Sequence, residues 1–202
     1  FEARWQGWYR YFPWEDHRNG RPAIIDAELA PHLYTWASGN QQRLDRARIA
    51  FGLDGARWVE ERVLERYELL YEAGLVAECA RDADLPPPAT HLGATMASDH
   101  RRILATALAR LRGKVKYRPV VFELLQERFT LSALQRTVEG ILGLSLHTQN
   151  FRRALEKTDL VKGTGRLETS TGGRPAELYE FRRDYVRGIA APGLATPRKT
   201  PE

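Results

Sequence analysis

The stretch that most limits the possible folds is Tyr117–Arg187, where three short helices are followed by a glycine-rich hairpin. Pro119 stands where a first helical turn tolerates proline, and VVFELL after it reads as a short apolar helix. In LSALQRTVEGIL, Leu131, Leu134, Val138, Ile141 and Leu142 keep helical spacing, with Thr130 placed to cap the start and Gly143 to end the run. The link GLSL is tight, and His147 or Thr148 opens a third helix. Three helices with a short turn before the third is the order of a helix-turn-helix.

The third helix has two unlike faces. Phe151, Ala154 and Leu155 share one side, and at about 100 degrees per residue Gln149, Arg152, Arg153 and Glu156 fall on the other. Arginine pairs bidentately with guanine in the major groove and glutamine with adenine, and recognition helices touch bases near their start. Thr148, Gln149, Asn150, Arg152 and Arg153 are therefore the candidate DNA-reading residues. Taken alone, Arg152 and Arg153 would fit an ordinary solvated face equally well. The residues that follow weigh against that. Leu160-Val161 begins a strand, GTGRLETSTGGRP reads as a hairpin tip, and Ala176, Leu178, Tyr179 and Phe181 belong to a returning strand. This is a wing carrying Arg166 and Arg174, side chains suited to a narrow minor groove with its strong negative potential.

Charge divides the chain. Phe1–Ser98 holds 11 arginines and no lysine against 15 acidic residues, a net of −4, whereas Asp99–Glu202 holds 20 basic against 11 acidic, a net of +9. Opposite signs in the two halves are expected when one half meets a polyanion. The single cysteine, Cys79, cannot form an internal disulfide, and no Cys/His cluster has zinc spacing, so we expect a cytoplasmic protein without a metal or bound cofactor. No apolar stretch approaches the roughly 20 residues of a membrane span.

The first half reads as helical. Aromatic residues crowd the opening, from Trp5 through Trp8, Tyr9, Tyr11 and Phe12 to Trp14, and extended structure followed by a turn at Asn19-Gly20 is expected there. Asp26 is placed to cap a helix running to about Ser38, and Asn40 to cap the next, which Gly52 ends. A longer helix is expected over ARWVEERVLERYELLYEAG, then a loop across residues 81–97. Ser98 and Asp99 start another helix, with an apolar stripe of Ile103, Leu104, Ala107, Leu108 and Leu111 and a stop at Gly113. Its other face is basic, with Arg101, Arg102, Arg110, Arg112, Lys114, Lys116 and Arg118. Arg102 is a candidate phosphate contact there; a solvated face, or pairing with the acidic half, is the alternative. The expected fold is mainly α with a small β wing: a helical sensor and dimerisation region over 1–116, a winged helix-turn-helix over 117–187 and a disordered tail over 188–202.

FTLSALQRTVEGILGLSLHTQNFRRALEKTDLVKGTG and GGRPAELYEF closely resemble the C-terminal winged helix of the Nudix-related transcriptional regulators, the NrtR group. DHRRILATALARLRGKVKYRPVVFELL resembles the end of their Nudix-like domain, and WYRYFPWEDHRNGRPAIID and LERYELLYEAGLVAE resemble the alphaproteobacterial members known as NadQ. The resemblance implies a repressor of NAD-biosynthesis genes, usually a homodimer on a palindromic double-stranded operator, controlled by a nucleotide such as ADP-ribose, NAD or ATP. The first half would then be the remainder of a Nudix-like domain plus a helical elaboration, and a start at Phe1 rather than Met suggests a fragment. A catalytic Nudix box needs several carboxylates on one helical turn to hold divalent metal beside a diphosphate. The nearest stretch, YELLYEAGL, keeps Glu68, Glu72 and Gly74 but has Tyr67 in place of the arginine and Tyr71 in place of a glutamate. Hydrolysis is not expected, although a Nudix-type hydrolase of the ADP-ribose class with a winged-helix appendage is the alternative. A winged helix that makes only protein contacts is a third reading.

Overall fold

In the computed structural model, which describes residues 4–88, 91–168 and 175–183, the chain divides into two units, Phe1–Arg110 and Leu111–Glu202. The division falls ahead of the boundary expected at 116/117. The expected tail and the wing tip with Arg174 lie outside the described residues. The fold is mainly helical with a small sheet, a helical first half followed by a winged helix-turn-helix.

The aromatic opening is not extended. It forms two 3-10 turns, Trp8–Arg10 and Pro13–Glu15, with Pro13 at the start of the second. Phe12 and Trp14 are fully buried and meet edge to face, as do Phe12 and Tyr67. The next helix starts earlier than Asp26: the chain is helical from Ala23, passes through a π turn at Ile25–Leu29 and continues as α1, Ala30–Trp36. The Pro22 carbonyl accepts from Ile25, so proline sets the first turn, and the Asp26 carboxylate pairs with Arg21 at 2.9 Å instead of capping. α2 is Gln41–Phe51, with the Asn40 side chain accepting from the Arg43 N–H at 3.1 Å and Gly52 left-handed at its end, as the sequence predicts.

α3 is shorter than its periodicity suggests. It spans Val63–Glu72, and residues 56–62 are not helical. The reason is Arg66. Its guanidinium is completely buried, pairs with both Glu15 oxygens, and also donates to the carbonyls of Ala50, Val59 and Glu60. A helix through Val59 and Glu60 would tie up those carbonyls in its own ladder. α4, Ala77–Asp82, follows the left-handed Gly74, and the chain from 83 to 99 is irregular where described.

α5, His100–Tyr117, begins where Ser98 and Asp99 predict and runs straight past Gly113. Its buried stripe is Arg101, Ala105, Leu108, Arg112 and Val115, while Ile103 and Ala107 are exposed. The stripe is rotated from the expected one because two arginines enter the interior. Arg101 pairs with Glu78 at 3.1 Å, donates to the carbonyls of Tyr11 and Leu92, and lies within 5.6 Å of the ring centres of Phe12, Trp14 and Tyr67. Arg112 donates Nε to the Ile141 carbonyl at 2.9 Å. A buried arginine satisfied by carbonyls and a carboxylate behaves as core, which apolar periodicity does not detect.

In the second unit a 3-10 turn at Val120–Leu124 leads to β1, Arg128–Thr130, which the sequence reading missed. α6 is Leu131–Leu142, α7 is Thr148–Glu156, and β2, Val161–Glu168, and β3, Ala176–Phe181, form the wing. The sheet order is β1-β3-β2, antiparallel throughout, with Phe129 opposite Tyr179 and Gly163 opposite Tyr179 on the other side. Phe122 stacks on Phe181 at 4.3 Å, and Val121, Phe129, Leu134, Val138, Ile141, Phe151, Leu155 and Leu160 fill the interior. Among the described residues no helix is long and apolar enough to cross a membrane.

Candidate nucleic-acid interface

α6 is fixed at both ends by its own sequence. Thr130 Oγ1 accepts from the Ala133 N–H at 3.1 Å, and Gly143 adopts φ 70°, which closes the helix by returning its N–H to the Glu139 carbonyl. Its buried positions are Leu134, Val138, Ile141 and Leu142. The link that follows is held by polar side chains of α6 itself. Glu139 accepts from the Leu146 N–H at 2.8 Å, and Gln135 donates to the Leu146 carbonyl at 2.9 Å.

α7 then presents one face to the core and one outward. Phe151 and Leu155 are buried, and Thr148, Gln149, Asn150, Arg152, Arg153 and Glu156 are all exposed. The structure thus brings the five candidate reading residues together on one short helix, with Thr148, Gln149 and Asn150 opening it and Arg153 in its last turn. His147, at the N-cap position, makes no side-chain capping bond. Leading N–H groups of a helix that lack side-chain caps favour an anion, so the start of α7 suits phosphate as well as base edges.

The wing is shaped by glycine and by one carboxylate. The β2–β3 register shifts between Gly163 and Leu167, and Gly165 has φ 69° within that irregularity. Glu177 on β3 accepts from the Gly165 N–H at 3.4 Å and from the Tyr179 hydroxyl at 3.2 Å. A Cβ at Gly163 would stand 2.5 Å from Glu177 Oε1, so glycine there makes room for the carboxylate. The Tyr179 phenol is pushed up, first by burial and then by the Glu177 bond. Arg166 is exposed on β2 within the bulged stretch, its N–H bonded to Thr164 Oγ1. Gly163–Glu168, expected in the hairpin tip, is strand.

Arg102 belongs to the first unit, where its guanidinium hydrogen-bonds Glu68 at 2.7 Å and lies 5.3 Å from the Tyr71 ring centre. Glu72, the other carboxylate of the YELLYEAGL stretch, is paired with Arg46 at 2.5 Å. Among the described residues no group of three His, Cys, Asp or Glu is arranged to hold a metal ion. Sequence reasoning missed Gln135, Glu139 and Glu177. The first two had a signal, a Gln–Glu pair at i and i+4 beside a glycine link; the third depends on a bulge with no local mark.

Residues 121–181 match the family described as the NrtR DNA-binding winged helix domain. A curated relative, the "ADPR responsive transcriptional repressor NtrR" of Acinetobacter baylyi, is 38% identical over 91 residues, covering 45% of this chain and 36% of the relative. The chain thus spans about a third of that relative's length. Two solved structures are similar at 35% identity: Shewanella oneidensis NrtR complexed with a 27mer DNA, with a TM-score of 0.44 over 52% of this chain and 46% of that one, and Shewanella oneidensis NrtR, with a TM-score of 0.39 over 52% and 43%.

Proposed function

We propose that this chain is a nucleotide-responsive transcriptional repressor that reads double-stranded DNA through α7 and anchors itself through the wing. The observation that carries this reading is the exposed face of α7, with Gln149, Arg152 and Arg153 outward and Phe151 and Leu155 inward, inside a segment matching an NrtR DNA-binding winged helix. Gln149 and Arg153 contact base edges, Thr148, Asn150 and Arg152 complete the contacts at the start of the helix, and Arg166 and Arg174 of the wing approach the minor groove. Arg102, exposed on α5 and paired there with Glu68, is a further phosphate contact in this reading.

A lone winged helix covers too little duplex for operator specificity, so the protein works as a homodimer on a palindromic site. The effector is ADP-ribose or a related nucleotide such as NAD or ATP, a reading supported by the ADPR responsive relative, and it acts away from α7 and the wing. The regulated genes are those of NAD biosynthesis, in line with the NadQ-like stretches of the first half. The protein acts in the cytoplasm as a regulator rather than a hydrolase: Glu68 and Glu72, the carboxylates nearest to a Nudix box, are each held by an arginine.

The test is selection of duplexes from a randomised pool, followed by titration of the enriched duplex with salt and with ADP-ribose, NAD and ATP. One enriched palindrome, affinity that falls steeply with salt, and release by one of the nucleotides are expected. Enrichment of no motif would remove the DNA-reading role, and indifference to all three nucleotides would remove the effector.

A further inference from the structure

Gln135 and Glu139 stand one helical turn apart on α6, and both reach over the link to α7. The Glu139 carboxylate accepts from the Leu146 N–H at 2.8 Å and from the Gln135 amide at 3.0 Å. The same amide donates to the Leu146 carbonyl at 2.9 Å and lies 3.4 Å from Thr148 Oγ1. Both backbone polar groups of Leu146 are therefore held from α6, while its side chain is buried. Backbone groups in a partly buried turn need partners, and a charged acceptor makes the stronger bond.

α7 has no side-chain cap of its own at His147. Its first turn is tied down instead from the neighbouring helix, at Leu146 and at Thr148. The Leu146 side chain alone would fix a depth of packing but leave the rotation of α7 about the link less determined. Bonds to the N–H and the carbonyl of the same residue remove that freedom.

We propose that Gln135 and Glu139 are positioning residues for DNA reading: by clamping Leu146 and the start of α7 they set the angle at which Gln149 and Arg153 meet the bases. The proposal rests on the DNA-reading role of α7. Neither residue needs to touch a base for its loss to blur recognition, because a bidentate contact to a base edge tolerates little rotation.

The test uses the full chain and the duplex that the wild-type protein enriches from a randomised pool, with a scrambled duplex of the same composition. Gln135→Ala, Glu139→Ala and Glu139→Gln are compared by amide hydrogen exchange at Leu146, by thermal melting, and by the ratio of Kd on the two duplexes across salt concentrations. Both alanine variants should speed Leu146 exchange and lower the enriched-to-scrambled preference about tenfold, with the salt slope unchanged because the phosphate contacts remain. Glu139→Gln keeps an acceptor for Leu146 and should stay within about threefold of wild type. A preference unchanged in folded alanine variants, whatever their melting temperatures, would overturn the proposal while leaving DNA reading intact. A wild-type chain that enriches no duplex would overturn both.

Discussion

Arg66 and Glu15 form a bidentate ion pair from which water is completely excluded, with Nε–Oε1 at 2.5 Å and Nη2–Oε2 at 2.8 Å, roofed by the Trp58 ring 3.8 Å from the guanidinium carbon. Breaking one side of such a pair strands the other charge. Glu15→Gln and Arg66→Met should each destabilise the chain by about 3 to 5 kcal/mol, whereas the double variant should cost less than the sum of the two. Urea unfolding of the three variants measures this, and simple additivity would mean that the two side chains act independently.

The same arginine explains where the sequence was legible and where it was not. Caps and stops act locally, so Asn40, Thr130, Gly52 and Gly143 mark their helix ends and the structure keeps them. The outward face of α7 follows from the period set by Phe151 and Leu155. What a local pattern cannot carry is a side chain that draws on carbonyls distant in sequence. Arg66 keeps Val59 and Glu60 out of the helix, and Arg101 and Arg112 turn α5 about its axis by taking interior positions that the apolar pattern assigns to leucine and isoleucine. β1 is three residues long and exists through its pairing with β3, a partner about fifty positions later, so it leaves no alternation to read.

His17 packs against Trp58 at 4.0 Å between ring centres, its Nε2 buried with no hydrogen-bond partner among the described residues. Burial pushes its pKa down to about 4 from an ordinary 6.5; the Glu15 carboxylate opposes the shift and the Arg66 and Arg21 charges add to it. The unfolded chain takes up this proton at higher pH than the folded one. The histidine therefore costs nothing above pH 6.5 and destabilises progressively as pH falls from 6.5 toward 4. The urea midpoint should drop across that window in wild type and drop less in His17→Phe. An imidazole titrating near 6.5 by NMR in the folded protein would contradict the burial argument.

Two glycines separate strain from crowding. Gly55 and Gly93 have φ of 81° and 79°, but an added Cβ meets nothing within 4 Å at Gly55, whereas at Gly93 it would stand 2.7 Å from the Tyr11 carbonyl oxygen and 2.8 Å from Pro13 Cδ. Gly55→Ala should cost about 1 kcal/mol for the left-handed backbone alone. Gly93→Ala should cost about 3 kcal/mol, because the backbone it strikes holds the aromatic opening in place. Equal losses in denaturant unfolding would show that the opening yields to the intruding methyl.

Division of labour between helix and wing is tested most directly by Arg153→Ala and Arg166→Ala, measured as Kd for the enriched duplex and for its scrambled counterpart over a range of salt concentrations. Arg153 is exposed on α7, one turn after Gln149 on the same face, so its loss should cost about 1 to 3 kcal/mol on the enriched duplex and much less on scrambled DNA. Arg166 is exposed on β2 within the bulged stretch, so its loss should weaken both duplexes alike and reduce the salt slope by about one unit if it neutralises one phosphate. An unchanged preference in Arg153→Ala together with a collapsed preference in Arg166→Ala would contradict reading by α7 and anchoring by the wing.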